Sequence, residues 1–233
     1  MHNPCKVAWL LARKQQLLEL AETKLADLGC GGGCVGRYFA SGFGADVEGI
    51  DADPLAIRMA EELAVTSGAG HPLRFKTGDV SKTGFDGAFS MDVLLFVADK
   101  RAALHEIARI LKPGSGFVGT SWELRAESAA LHAPAFDDYP GAFKDAGFEI
   151  EIYEETGNWR RLLTDAVSAV VASDDAIRRE VEGPAAERLL EMGSSAPWRT
   201  GPYRDFMTRA SICSCINRGS TRLRPRARRC SKC

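Results

Sequence analysis

Short apolar runs recur along the chain, each ended by glycine, aspartate or proline, and helical spacing fills the gaps between them. Lys24–Leu28, Ala45–Asp51, Leu73–Thr77, Phe85–Ser90 and Gly116–Trp122 read as strands, the fourth continuing through Met91–Leu95. After Pro54 the period changes. Ala56, Met59, Ala60 and Leu63 fall at i, i+3, i+4 and i+7 and predict a helix with that set as its buried face. Leu104, Ile107, Ala108 and Leu111 repeat the spacing and predict a helix over Asp99–Leu111, stopped by Lys112-Pro113-Gly114. Val7–Glu22 is amphipathic enough for a helix, and Glu149–Glu154 reads as a later strand. Asn158–Met192 reads as two or three helices, with Trp159, Leu163, Ala166, Val167 and Val170 as one apolar stripe. Strands alternating with helices predict an α/β domain, a mostly parallel sheet with helices on both faces and ligand at the carboxyl ends of the strands.

The first strand breaks into Gly29-Cys30-Gly31-Gly32-Gly33, and a helix begins at Val35. Such a loop brings bare backbone N–H groups to a ligand, with a helix dipole behind them. A phosphate-cradling loop would need Lys-Ser/Thr after its last glycine, where Cys34-Val35 stands. The dinucleotide fingerprint G-x-G-x-x-G would need glycine at Cys34. The second strand ends at Asp51, roughly 20 residues beyond the loop, where an acid can accept both hydrogen bonds of a ribose diol. Asp53 and Pro54 suit the cap and first position of the next helix.

The loop, Asp27-x-Gly29-x-Gly31-x-Gly33, resembles motif I of the class I S-adenosylmethionine-dependent methyltransferases. The resemblance runs from residue 24 to about 154. It is carried in order by Asp27-Leu28-Gly29-Cys30-Gly31-Gly32-Gly33, Gly49-Ile50-Asp51-Ala52-Asp53-Pro54, Gly78-Asp79-Val80, Phe85-Asp86-Gly87-Ala88-Phe89-Ser90 and Arg109-Ile110-Leu111-Lys112-Pro113-Gly114. One turn departs from it: Pro113-Gly114-Ser115-Gly116 stands where the family has Pro-Gly-Gly. The small-molecule type is the most similar. The resemblance implies a Rossmann-like three-layer αβα sandwich with a seven-stranded, mostly parallel sheet, an antiparallel last strand and a helical lid insertion at about 158–192. It implies that Asp27, Gly29 and Gly31 lie against the methionine end of S-adenosylmethionine and that Asp51 holds the ribose. Asp79 and Val80 would meet the adenine and Ser90 would close the site, with Cys30, Gly33 and Ala52 completing the contact set.

Composition then narrows the setting. With 45% hydrophobic and 26% charged residues, the 233-residue chain has the make-up of an ordinary globular protein. Val7–Ala12 is too short for a membrane span, and reduced cysteines beside a binding loop fit the cytoplasm. The net charge of −1 hides an asymmetry: Met207–Cys233 carries eight basic residues and no acid, which leaves residues 1–206 at −9. That acidic body argues against a nucleic-acid surface. The domain is expected to fill 1–206, with 207–233 a last-strand remnant running into a disordered Cys/Arg-rich tail. Cys213, Cys215, Cys230 and Cys233 form C-x-C and C-x-x-C, but the arginine-rich span between them has almost nothing apolar to fold around a metal, and no metal site is assigned.

Methyl transfer needs alignment more than a catalytic signature, since the sulfonium is already a strong electrophile. The chain lacks the Asn/Asp-Pro-Pro-Tyr/Phe of base and amide methylation, having Ser90-Met91-Asp92-Val93 there, and its Pro-Cys lies at Pro4-Cys5. His132 and Tyr139, in the Glu123–Phe143 segment expected to cover the site, are the candidate general bases. The expected partner is a small-molecule acceptor. An RNA or protein methyltransferase docking through its tail, a non-catalytic nucleoside-binding module and a nicotinamide oxidoreductase stay open.

Overall fold

The computed structural model describes residues 23–67, 72–124, 133–155, 172–180 and 207–217, with single positions at 161, 165, 168–169 and 190. The expected helix at Val7–Glu22, His132, His71, most of Asn158–Met192 and the tail with Cys230 and Cys233 lie outside the described residues. Strands β1 (Lys24–Leu28), β2 (Asp46–Asp51), β3 (Leu73–Thr77), β4 (Phe85–Met91), β5 (Leu111–Leu124), β6 (Phe148–Glu155) and β7 (Met207–Asn217) make one sheet in the order β3-β2-β1-β4-β5-β7-β6. The first five run parallel, and β7 enters antiparallel between β5 and β6. Chain order reverses between β1 and β4, so their carboxyl ends form the crevice in which doubly wound sheets bind ligands.

Helices α1 (Cys34–Phe43) and α2 (Pro54–Ser67) follow β1 and β2. On that face Leu25, Val47 and Phe89 of the sheet pack with Val35, Phe39 and Ala40 of α1. Helices α3 (Lys100–Ile110) and α4 (Tyr139–Asp145) serve the opposite face, where Leu104, Ile107 and Ile110 join Ala26, Ala88 and Phe117 in the larger core. A short helix α5 (Asp174–Glu180) lies in the stretch between β6 and β7. Asp99 caps α3 by accepting from the N–H of Ala102 at 2.9 Å, and Asp138 caps α4 by accepting from the N–H of Gly141 at 2.9 Å.

Three expectations are corrected. The buried face of α2 is Ile57 and Ala60, at 5% and 0% exposure, while Met59 and Leu63 stand 50% and 39% exposed. Apolar residues spread over more than half of this helix's circumference, so periodicity did not single out a face. Close approach did: a Cβ on Gly33 would come within 3.0 Å of the Ala60 methyl, so the packed side needs small groups. The fourth strand stops at Met91 instead of continuing, because Asp92 turns the chain with φ 58° into a 3₁₀ turn at Leu94–Phe96. The last strand is no remnant. Met207–Asn217 is a full strand of the sheet, with Ile216 against Gly116 on one side and Asn217 against Phe148 on the other. Its neighbours satisfy its backbone whatever its side chains, and Cys215 is wholly buried as a small apolar group. The buried Asn217 amide then donates to the carbonyls of Ala108 (2.9 Å) and Leu111 (3.3 Å), satisfying the end of α3.

Gly33 is a position that requires glycine. It occupies the N-cap of α1 at φ 71°, and a Cβ there would lie 2.5 Å from the Phe75 ring. Gly33→Ala combines left-handed strain with overpacking and is expected to destabilise the protein by about 2–4 kcal/mol, read as a lower urea midpoint with unchanged m-value.

Candidate functional site

The glycine loop is locked to β2 before any ligand arrives. The N–H groups of Gly29 and Cys30 donate to Ile50 O at 2.8 and 3.1 Å, and Gly33 N–H donates to Cys30 O at 2.9 Å. Asp51 adds a side-chain clamp. Its Oδ2 accepts from Gly31 N–H at 2.8 Å and its Oδ1 from Asp53 N–H at 2.9 Å, while its carbonyl accepts from Gly78 N–H at 2.9 Å. Asp53 in turn accepts from Leu55 N–H at 2.8 Å and starts α2 over Pro54. One carboxylate therefore joins the loop after β1, the end of β2 and the start of a helix.

Against this frame lies a cavity of about 520 Å³. Gly29, Asp51, Ala52, Asp79, Val80 and Ser90, all expected site residues, line it together. Its far wall was not foreseen as a wall: Val93, Leu94 and Val97 from the 3₁₀ turn, with Ile107 and Ile110 of α3. The signal was present in an apolar run too long for one strand followed by the Asp99 cap. Gly29, at φ 72°, is the closest point of loop and wall, since a Cβ there would overlap the Val93 side chain. Ser90 is 1% exposed, and its buried Oγ has no hydrogen-bond partner.

The turn is held from below by a buried cation. Lys100 Nζ donates to Leu95 O at 3.0 Å and Val97 O at 2.9 Å and sits 5.6 Å from the Phe136 ring centroid. Burial lowers the pKa of this amine. On the other side Arg109 donates to Val80 O at 2.9 Å and fixes the loop after β3.

The remaining expected residues lie off the cavity wall. Asp27 is 2% exposed beneath the loop, its Oδ2 accepting from Gly36 N–H of α1 at 3.1 Å. Burial pushes its pKa up to about 7; the Gly36 hydrogen bond opposes the shift and the Asp51 charge adds to it. Cys30 is also buried, and desolvation with the charges of Asp27 and Asp51 raises its thiol to about 12, which leaves it unreactive. Gly31 is bound to Asp51, and Gly33 caps α1. Tyr139 is 2% exposed in the core, its hydroxyl 2.7 Å from Ser121 Oγ. Among the described residues no group of His, Cys, Asp and Glu could hold a metal, and no helix is long and apolar enough to cross a membrane.

Three comparisons bear on this arrangement. Residues 26–118 match the family described as "Methyltransferase domain". The chain is 34% identical over 115 residues to tocopherol O-methyltransferase of Arabidopsis thaliana, covering 47% of this chain and 33% of that protein. It thus spans about a third of the length of the curated relatives it matches first. Two solved structures share the fold. A [4+2]-cyclase, SpnF, superposes with TM-score 0.72 at 22% identity, covering 91% of this chain and 80% of that one. A methyltransferase from Thiobacillus denitrificans bound to S-adenosylhomocysteine superposes with TM-score 0.64 at 21% identity, covering 94% of each chain.

The raised pKa of Asp27 has a definite sign. The folded protein keeps a proton that the unfolded chain has released, so stability falls as pH rises from about 4 to about 7 and is flat above that. Asp27→Asn can still accept from Gly36 and removes the penalty. It is expected to gain a few kcal/mol on the wild type between pH 5 and pH 8, by urea unfolding at both; an unchanged difference would contradict the burial cost.

Proposed function

We propose that this chain, whose residues 26–118 match the family described as "Methyltransferase domain", is a class I S-adenosylmethionine-dependent methyltransferase that transfers a methyl group to an oxygen, nitrogen or carbon atom of a small molecule and releases S-adenosylhomocysteine. The observation that carries the reading is the Asp51 clamp at the mouth of an apolar cavity lined also by Ser90, whose buried hydroxyl has no hydrogen-bond partner. The donor set fits the nucleoside. Asp51 offers carboxylate lone pairs to a ribose diol, and Leu28, Ile50, Val80 and Ile107 make a slot for a flat purine. Asp79 and the backbone of Val80, on the same wall, would offer an acceptor to the purine amino group and a donor to a ring nitrogen. The volume falls within the roughly 300–1,000 Å³ of small-molecule sites.

Bound there, S-adenosylmethionine supplies a methyl group already activated by its sulfonium. The chain's own residues hold and orient. The locked glycine loop would fix one end and Asp51 the middle, and the turn pinned by Lys100 supplies an apolar far wall. Alignment of this kind is worth up to roughly 7–11 kcal/mol of barrier. The relatives' names support a small-molecule acceptor. Free thiols at Cys30, Cys34 and Cys215 support a reducing, cytoplasmic setting. One observation favours a second reading, nucleoside binding with a different reaction: a structure sharing the fold is described as a [4+2]-cyclase.

Calorimetric titration with S-adenosylhomocysteine and with NADH tests the reading. The expected result is binding of the first alone, weakened at least tenfold by Asp51→Ala, since hydrogen bonds to a carboxylate are worth about 1.5–3 kcal/mol each. Binding of NADH, or none of either by folded protein, would overturn it.

A further inference from the structure

Residues 78–84 join β3 to β4 without a helix, and both ends of this stretch are tied down. Gly78 N–H donates to Asp51 O at 2.9 Å and Gly84 N–H to Ile110 O at 2.8 Å, while Lys82 pairs with the buried Glu48 carboxylate. Between these ties Asp79 and Val80 line the cavity. A further bond reaches them from α3: Arg109 Nη2 donates to Val80 O at 2.9 Å. The same guanidinium donates through Nε to Glu106 Oε2 at 2.7 Å, and Glu106 also lines the cavity. Arg109 is not part of the lining, but both of its partners are.

This brace spans the crevice. The 78–84 stretch leaves β3, on one side of the switch point, whereas α3 connects β4 to β5 on the other. Val80 from the first side and Ala103, Ile107 and Ile110 from the second line the same cavity. A flat ring held between two walls needs them at a fixed separation. A planar guanidinium with two of its donors engaged fixes separation and orientation together, which the single point charge of a lysine does not. The tether also acts along the chain. Gly78 is held through its N–H and Val80 through its carbonyl, so Asp79 lies between two fixed points. As a cation in the last turn of α3, Arg109 also suits the helix dipole, but that role needs only charge.

We infer that Arg109 is a positioning residue that sets the width and hydrogen-bonding register of the purine slot, and that selectivity for a 6-aminopurine nucleoside depends on it. This rests on the methyl-transfer reading above, which assigns the purine to Asp79 and Val80. Arg109 acts through the Val80 carbonyl and the Glu106 carboxylate, and it takes no part in the transfer of the methyl group.

Displacement calorimetry with S-adenosylhomocysteine and its 6-oxo analogue, S-inosylhomocysteine, tests this without a methyl acceptor. Hypoxanthine presents an oxygen where adenine presents its amino group, so the wild type is expected to prefer the amino compound by about a hundredfold or more. The Arg109–Glu106 pair is solvent-exposed and contributes little to stability, so Arg109→Ala and Arg109→Lys are expected to melt within about 3 °C of wild type. Arg109→Ala should bind S-adenosylhomocysteine about tenfold more weakly or worse, and the inosyl analogue within about threefold of wild type. A merely structural arginine would weaken both ligands alike. Arg109→Lys keeps the charge at the helix end but not the two-pronged brace, and should resemble Arg109→Ala in selectivity. Added methylguanidinium should restore part of the lost affinity for S-adenosylhomocysteine to Arg109→Ala, because the site is open to solvent. Wild-type protein that does not bind S-adenosylhomocysteine overturns the underlying reading. Wild-type protein that binds both analogues equally overturns the selective slot. Wild-type selectivity retained in Arg109→Ala, or in Arg109→Lys, overturns the role of Arg109 alone.

Discussion

The carboxylate of Asp51 is the tie on which the site depends. It binds the N–H of Gly31 and of Asp53 at once, so the turn after β1 and the entry to α2 cannot move independently. With Gly29 and Cys30 both donating to Ile50 O, the loop arrives at a ligand already shaped. A loop ordered in advance loses less entropy on binding, which is how a short glycine-rich segment can hold a charged nucleoside tightly. The same arrangement places negative charge close to buried Asp27 and Cys30 and helps keep both protonated.

The rest of the architecture serves that tie by building a wall opposite it. Parallel strands on one side of the switch point bring Asp51 and Asp79 to the rim, and β4 on the other side ends in a forced turn. Val93 from that turn meets Gly29 so closely that no side chain fits between them, so loop and wall are built as one surface. Lys100 makes the wall stiff. A buried ammonium needs acceptors, and the carbonyls of Leu95 and Val97 supply them, which leaves the turn little freedom without exposing the amine. From the far end of the domain, Asn217 anchors the tail of α3, the helix that closes the cavity from below.

Much of this could be read from the chain because local chemistry and global fold agree there. The bounds of β1 and β3 match their apolar runs, and Asp51, Asp53-Pro54 and Asp99 signal strand end, helix start and cap with residues that suit little else. Six of the expected cofactor contacts converge on one cavity because motif order along the chain becomes strand order across the sheet. Where reading failed, tertiary contact overrode the local pattern. The face of α2 was chosen by the close approach of Gly33 and Ala60, which no period encodes. β7 looked polar because a strand sandwiched between β5 and β6 draws its stability from ladder bonds on both edges and needs few large apolar side chains. Asp92 was passed over in a run that looked like continuing strand; backbone strain leaves no mark on composition.

The most direct measurement is a crystal structure of the protein grown with S-adenosylhomocysteine. The predicted result is the ribose diol within hydrogen-bond distance of Asp51, the purine between Val80 and Ile107, and the sulfur near Gly29 and Ser90, with the glycine loop unmoved. Density for the nucleoside outside this cavity, or a loop that must rearrange and release Asp51 to admit it, would contradict a preformed site organised by that one carboxylate.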